Sequence, residues 1–123
     1  MIFNREEQQL MLEGNLLSRE DVKRLVANCT DATLVFLCEL YRFLDDWFND
    51  SPYLTVKTSG STGTPKQMKV LKDRMMQSAR LTCEYLGLRR GDSALLCMPL
   101  QYIAGKMVVV RALVAGLNLV VRT

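Results

Sequence analysis

An α/β fold is what this sequence predicts, and three observations predict it. The first half carries helical hydrophobic spacing, the second half switches to short alternating segments, and glycine and proline punctuate each change of period. The expected order is a helical N-terminal segment over residues 1–52, then a β-loop-β-α-β-α-β layer over residues 53–123, in a single domain. With 123 residues, the chain is long enough for one core.

"SREDVKRLVANC" opens with Ser18 and places Asp21 three residues later, a variant of the capping box, with Val22, Leu25 and Val26 on one face. "TDATLVFLCELYRFLDDWFND" offers Thr30 or Asp31 as a cap. It then sets Leu34, Leu37, Leu40, Tyr41, Leu44, Trp47 and Phe48 at helical intervals, with Glu39, Arg42 and Asp46 on the other side. This aromatic stripe reads as core packing rather than a ligand face. "NDSP" stops the helix at Pro52.

From Tyr53 the segments "YLTVKT" and "QMKVLK" read as strands on either side of a loop. "DRMMQSARLTCEYLGL" returns to a helical period and ends in Gly87, and "RRGD" is a turn. "SALLCMP" is a strand closed by Pro99. "YIAGKMVVVRALVAG" has a valine run that favours a strand, but its length and terminal Gly116 decide for a helix, after which "LNLVV" is a strand.

Composition excludes several classes. The residues are 49% hydrophobic and 24% charged, with net charge +3. So mild a balance argues against nucleic acid and against an anionic membrane surface. Lys66, Lys69, Lys72, Arg74 and Arg80 form the nearest thing to a basic cluster and read as a solvated face. The absence of histidine excludes Ser-His and Cys-His dyads and His-ligated metal within these residues. Cys29, Cys38, Cys83 and Cys97 contain no C-x-x-C pair and lie in apolar segments, so they read as buried, reduced thiols. Charges at Arg5, Glu6 and Glu7 break any signal-peptide pattern, and no apolar run approaches the ~20 residues of a membrane span. A cytoplasmic protein is expected.

The loop "TSGSTGTPK", Thr58 to Lys66, carries the chemistry. Gly60 and Gly63 allow backbone conformations that turn successive N–H groups inward as an anion nest. Thr58, Ser59, Ser61, Thr62 and Thr64 add hydroxyl donors, Pro65 stiffens the exit and Lys66 supplies a positive charge. No carboxylate occurs from Thr55 to Lys72. The loop reads as a phosphate cradle, against the plainer alternative of a Ser/Thr/Gly hairpin loop without a ligand. It is not a Walker A loop, because its lysine follows Thr-Pro and Gln67 stands where a magnesium-binding hydroxyl would be.

"TSGSTGTPK" resembles the phosphate-binding signature of the adenylate-forming acyl-CoA synthetases. "GDSALLCMPLQYIAGKMVVVRALVAGLNLVV" resembles the region that follows it there, and residues 50–123 carry the likeness. Among subfamilies it is most similar to o-succinylbenzoate–CoA ligases of menaquinone biosynthesis. The resemblance implies part of the larger adenylate-forming N-terminal domain. It implies that Thr58, Ser59, Gly60, Ser61, Thr62, Gly63 and Thr64 wrap the β- and γ-phosphates of ATP while Lys66 neutralises them. It also implies Mg²⁺, a carboxylic acid substrate and coenzyme A as partners. Where the family commonly has histidine after Pro-Leu-x, Tyr102 follows Pro99, Leu100 and Gln101, either lining the acyl pocket or packing as an ordinary aromatic. The family's adenine-gripping Tyr-Gly-x-Thr-Glu segment, ribose-binding aspartate and C-terminal lysine have no counterpart in the sequence. The expectation is therefore a piece of a longer ligase, inactive alone and prone to self-association. A stand-alone nucleotide-binding module and a non-catalytic interaction domain are the alternatives.

Overall fold

The structure is a computed structural model that describes residues 1–29, 35–57 and 66–122. Ten elements follow in chain order: β1 (Leu10–Leu12), β2 (Asn15–Leu17), α1 (Arg19–Ala27), α2 (Val35–Phe48), β3 (Tyr53–Lys57), β4 (Gln67–Leu71), α3 (Lys72–Leu86), β5 (Ser93–Leu96), α4 (Ile103–Ala115) and β6 (Asn118–Val121). The α/β expectation holds, and the order from Tyr53 onward is the one expected.

Two strands stand ahead of the N-terminal helices. β1 and β2 form a hairpin closed by Glu13 and Gly14, both at positive φ (45° and 87°), as a two-residue loop of this hand requires. Three-residue strands leave too little alternation for a sequence pattern to show. They matter because β1 also pairs in parallel with β6, and β6 with β5, giving one sheet in the order β2-β1-β6-β5. β3 and β4 form a separate antiparallel hairpin. The second half of the chain is thus divided between two sheets.

The helices obey their local signals. Ser18 Oγ accepts from the Asp21 N–H at 3.3 Å, and Asp21 Oδ2 accepts from the Ser18 N–H at 3.0 Å, completing the capping box. Those bonds, with Arg24 nearby, hold the Asp21 carboxyl below its usual range. The caps Thr30 and Asp31, with Leu34, fall outside the described residues. α2 does bury its stripe: Leu40, Leu44, Trp47 and Phe48 are in the core, Leu37 and Tyr41 at its margin. α3 and α4 each end on a left-handed glycine, Gly87 (φ 66°) and Gly116 (φ 68°). α4 is buried on nearly every side, which explains why its valine run did not force a strand: its apolar character is that of a helix packed all round.

Trp47, fully buried, donates its indole N–H to Gln8 Oε1 at 2.8 Å, and Gln8 Nε2 donates to the Ile2 carbonyl at 2.7 Å. The N-terminal residues are thereby tied to α2.

Two expectations change. Cys29 and Cys38 are joined in a disulfide, because the α1–α2 hairpin brings their Cα atoms to 5.8 Å. Of the other two cysteines, Cys83 is buried but Cys97 is exposed. The basic cluster is not one solvated face either. Lys66, Lys69 and Arg74 are exposed, Arg80 is half-buried, and Lys72 is 1% exposed.

Candidate functional site

The β3–β4 hairpin frames the loop. Its register runs from Tyr53↔Leu71 to Lys57↔Gln67, so the chain leaves the sheet at Lys57 and rejoins it directly opposite. Alternation along β3 buries Leu54 and Val56 and leaves Tyr53, Thr55 and Lys57 outside. Lys57 and Lys66 stand exposed at the open end of the hairpin and Lys69, also exposed, at the middle of β4, with no acidic residue between Thr55 and Lys72 in the sequence. Thr58, Ser59, Gly60, Ser61, Thr62, Gly63 and Thr64 lie outside the described residues. Lys66, just before β4, lies within them.

Tyr102 joins this site across 45 residues of chain by a parallel bridge to Lys57. It is half-buried and sits at the N-cap of α4 without a side-chain capping bond. The segment before it is shaped by Gly105. A Cβ there would lie 3.0 Å from the Pro99 carbonyl carbon and nearer still to its oxygen. Only glycine lets the first turn of α4 rest on that peptide, and that contact fixes where Tyr102 emerges.

Beside the hairpin lies a cleft of about 250 Å³, lined by Arg42, Asp46, Thr55, Leu100, Gln101 and Lys106 among others. The Lys106 ammonium hydrogen-bonds the Leu100 carbonyl and lies 5.7 Å from the centre of the Phe43 ring. Burial lowers the pKa of Lys106, opposed by Asp46 and Glu39, while Lys57 lowers it further. Burial raises that of Asp46, with Asp45 adding to the effect and Lys72 and Lys106 opposing it. Lys57, at the end of β3, is thus felt at Lys106 in the cleft.

Sequence reasoning missed Lys106 and Lys72. For Lys106 there was a signal, since it is one of only two charges in the otherwise apolar segment 102–116. Lys72 gave none, because a lysine at the end of "QMKVLK" looks like its exposed neighbour Lys69.

No protein-family model matches the chain, and no curated protein does. Solved structures do. The chain is similar to an acyl-CoA synthetase (AMP-forming)/AMP-acid ligase II-like protein from Dyadobacter fermentans, at 32% identity and a TM-score of 0.68, over 81% of this chain and 29% of that one. The chain shares the fold of part of that protein. It is also similar to the adenylation domain AlmE of Vibrio cholerae, solved with glycyl-adenosine-5'-phosphate, at 19% identity and a TM-score of 0.49, over 83% of this chain and 24% of that one. This second likeness is too remote to argue from. The chain spans less than a third of the length of either. Among the described residues no helix is long and apolar enough to cross a membrane.

Proposed function

We propose that this chain is a portion of an ATP-dependent, AMP-forming acid–CoA ligase and that residues 53–123 carry its grip on the phosphate end of ATP. The observation that supports it is "TSGSTGTPK" spanning the open end of a strand hairpin, in a chain that shares its fold with part of an AMP-forming synthetase-like protein. The residues fit such a ligand: three exposed lysines, a run of hydroxyls and two glycines, with no carboxylate to repel an anion.

In this reading Thr58, Ser59, Gly60, Ser61, Thr62, Gly63 and Thr64 surround the β- and γ-phosphates, and Lys66 neutralises their charge. In the whole ligase a substrate carboxylate attacks the α-phosphorus and pyrophosphate leaves. A coenzyme A thiol then displaces AMP from the acyl-adenylate. The loop's part is positional and electrostatic: it holds the leaving pyrophosphate in line and offsets the charge that builds on it. Mg²⁺ accompanies the nucleotide. Tyr102, held beside Lys57, lines the side from which the acid approaches. The resemblance of residues 50–123, closest among subfamilies to o-succinylbenzoate–CoA ligases, favours o-succinylbenzoate as that acid.

The test is titration of the 123-residue protein with pyrophosphate, followed by amide shifts at Lys57, Lys66 and Tyr102. Three or four hydrogen bonds to phosphate at roughly 1.5–3 kcal/mol each, set against an association cost of ~4–15 kcal/mol, leave affinity in the millimolar range. Lys66→Ala should weaken it several-fold, and pyrophosphate–ATP exchange stimulated by an aryl acid should be absent. Shifts that spare these three residues, or affinity indifferent to Lys66→Ala, would refute the assignment. Tight ATP binding would point instead to a stand-alone nucleotide-binding module.

A further inference from the structure

The geometry points to Cys29 and Cys38 as a reversible thiol–disulfide switch that sets the order of the first turn of α2, and through it the wall of the cleft beside the hairpin. This inference does not depend on the nucleotide reading.

Three features carry it. Both cysteines are only half-buried, so a small thiol can reach them, whereas Cys83 is buried. They lie 9 positions apart, and a ring this small restrains the unfolded chain less than a long one, which leaves the bond within reach of a cellular thiol buffer. The first turn of α2 lies at the margin of the core, with Phe36 and Leu37 packed against it only in part. Val35 is 63% exposed, Phe36 and Leu37 are half-buried, and full burial begins only at Leu40. That turn also carries no acidic residue to complement the helix dipole.

Cys38 immediately precedes Glu39. Glu39, Arg42, Phe43 and Asp46 then face the cleft at i, i+3, i+4 and i+7. Fraying of α2 from its N-terminus therefore reaches the cleft wall within one turn of Cys38. Asp46, itself exposed, lies two turns further on beside the buried Phe43, Leu44 and Trp47, so opening is confined to the Glu39–Arg42 side.

The oxidant is glutathione disulfide. One cysteine thiolate attacks it, forming a mixed disulfide and releasing one glutathione thiol. The second cysteine then attacks the protein sulfur and releases the other. Two electrons pass from the protein to glutathione, and the two cysteine protons end on the two glutathione thiols.

The experiment equilibrates the 123-residue protein across a range of glutathione to glutathione disulfide ratios. Alkylation read by mass spectrometry is paired with amide hydrogen exchange. Cys29 and Cys38 should gain and lose reactivity together within that range, while exposed Cys97 is alkylated throughout. Exchange across residues 35–42 should rise several-fold on reduction, with α4 unchanged. Cys29→Ser/Cys38→Ser should show the reduced-state exchange in every buffer, and since wild type alone supplies both states, the test survives if that variant folds poorly. A pair that stays oxidised at every ratio, a pair that never closes, or exchange over 35–42 that is the same in both states would overturn the proposal.

Discussion

Lys72 is a buried ammonium with no carboxylate in ion-pair contact among the described residues, and its removal tests the account of how α3 is joined to α2. The side chain is 1% exposed, and Nζ donates to the Asp46 carbonyl at 2.7 Å and to Asn49 Oδ1 at 2.8 Å. These acceptors lie at the C-terminal end of α2, where unpaired carbonyls and the negative end of the helix dipole favour a cation. Arg5 serves the same end, donating to the carbonyls of Trp47 and Asn49 at 2.7 Å each. Burial first, and Arg5 second, push the Lys72 amine down to about 8, with Asp46 and Asp50 opposing. Lys72→Met keeps the stem and removes the charge. Two charge-assisted bonds are lost at roughly 1.5–3 kcal/mol each, while the several kcal/mol that burial of an ammonium costs is recovered. The variant should lie within about 2 kcal/mol of wild type near pH 7. Lys72→Ala also gives up the three methylenes beyond Cβ at ~0.8 kcal/mol each, so it should fall about 2–3 kcal/mol below the methionine variant. The pH dependence is the sharper readout. The native amine sheds its proton near 8 and the unfolded one near 10.5, so between those values the unfolded state holds more protons. Wild-type stability should therefore rise with pH relative to Lys72→Met, by at most about 1.4 kcal/mol per pH unit and by less where exposed Asn49 and Asp50 admit solvent screening. Urea unfolding of both proteins near pH 7 and near pH 10 measures this. A difference between them that stays constant or moves in favour of methionine would refute the buried-charge reasoning.

Two further substitutions probe the supports of the site. Gly105→Ala drives a Cβ into the Pro99 peptide, which has no flexible end to yield; a loss of about 1–3 kcal/mol in urea unfolding is expected, with amide shifts at Tyr102 and Lys106. Trp47→Phe leaves Gln8 Oε1, in a side chain 2% exposed, without its donor, and should cost about 1–3 kcal/mol; adding Gln8→Met should recover part of that loss, so the two changes are less than additive in a double-mutant cycle.

Much of the second half of the fold was legible because its signals are local. The hairpin strands alternate, Gly87 and Gly116 close α3 and α4, and Pro99 ends the strand before α4. What escaped was non-local. Nothing in "LMLEGNLL" says that β1 lies beside β6, since that pairing is decided by which apolar faces remain to be covered once the helices have packed. The cysteine pairing and the burial of Lys72 escaped for the same reason: both depend on how α1, α2 and α3 meet. At the candidate site, the loop's chemistry was read from residue types alone. The position of Tyr102 beside Lys57 is a product of two sheets coming together and has no signature in either segment.

The parallel pairing of β1 with β6 bears on the timing of synthesis. Met11 and Leu12 stand beside Asn118 and Leu119, more than 100 positions away, and no strand made earlier takes that place. A ribosome translating this chain releases the N-terminal hairpin and both following helices well before their sheet can close. Until Leu119 emerges, β1 and β5 have no strand to join them, and the buried Leu10 and Leu96 stand in separate pieces of the sheet. The nascent chain thus carries exposed apolar surface through most of its translation, the interval in which a chaperone has the most to bind.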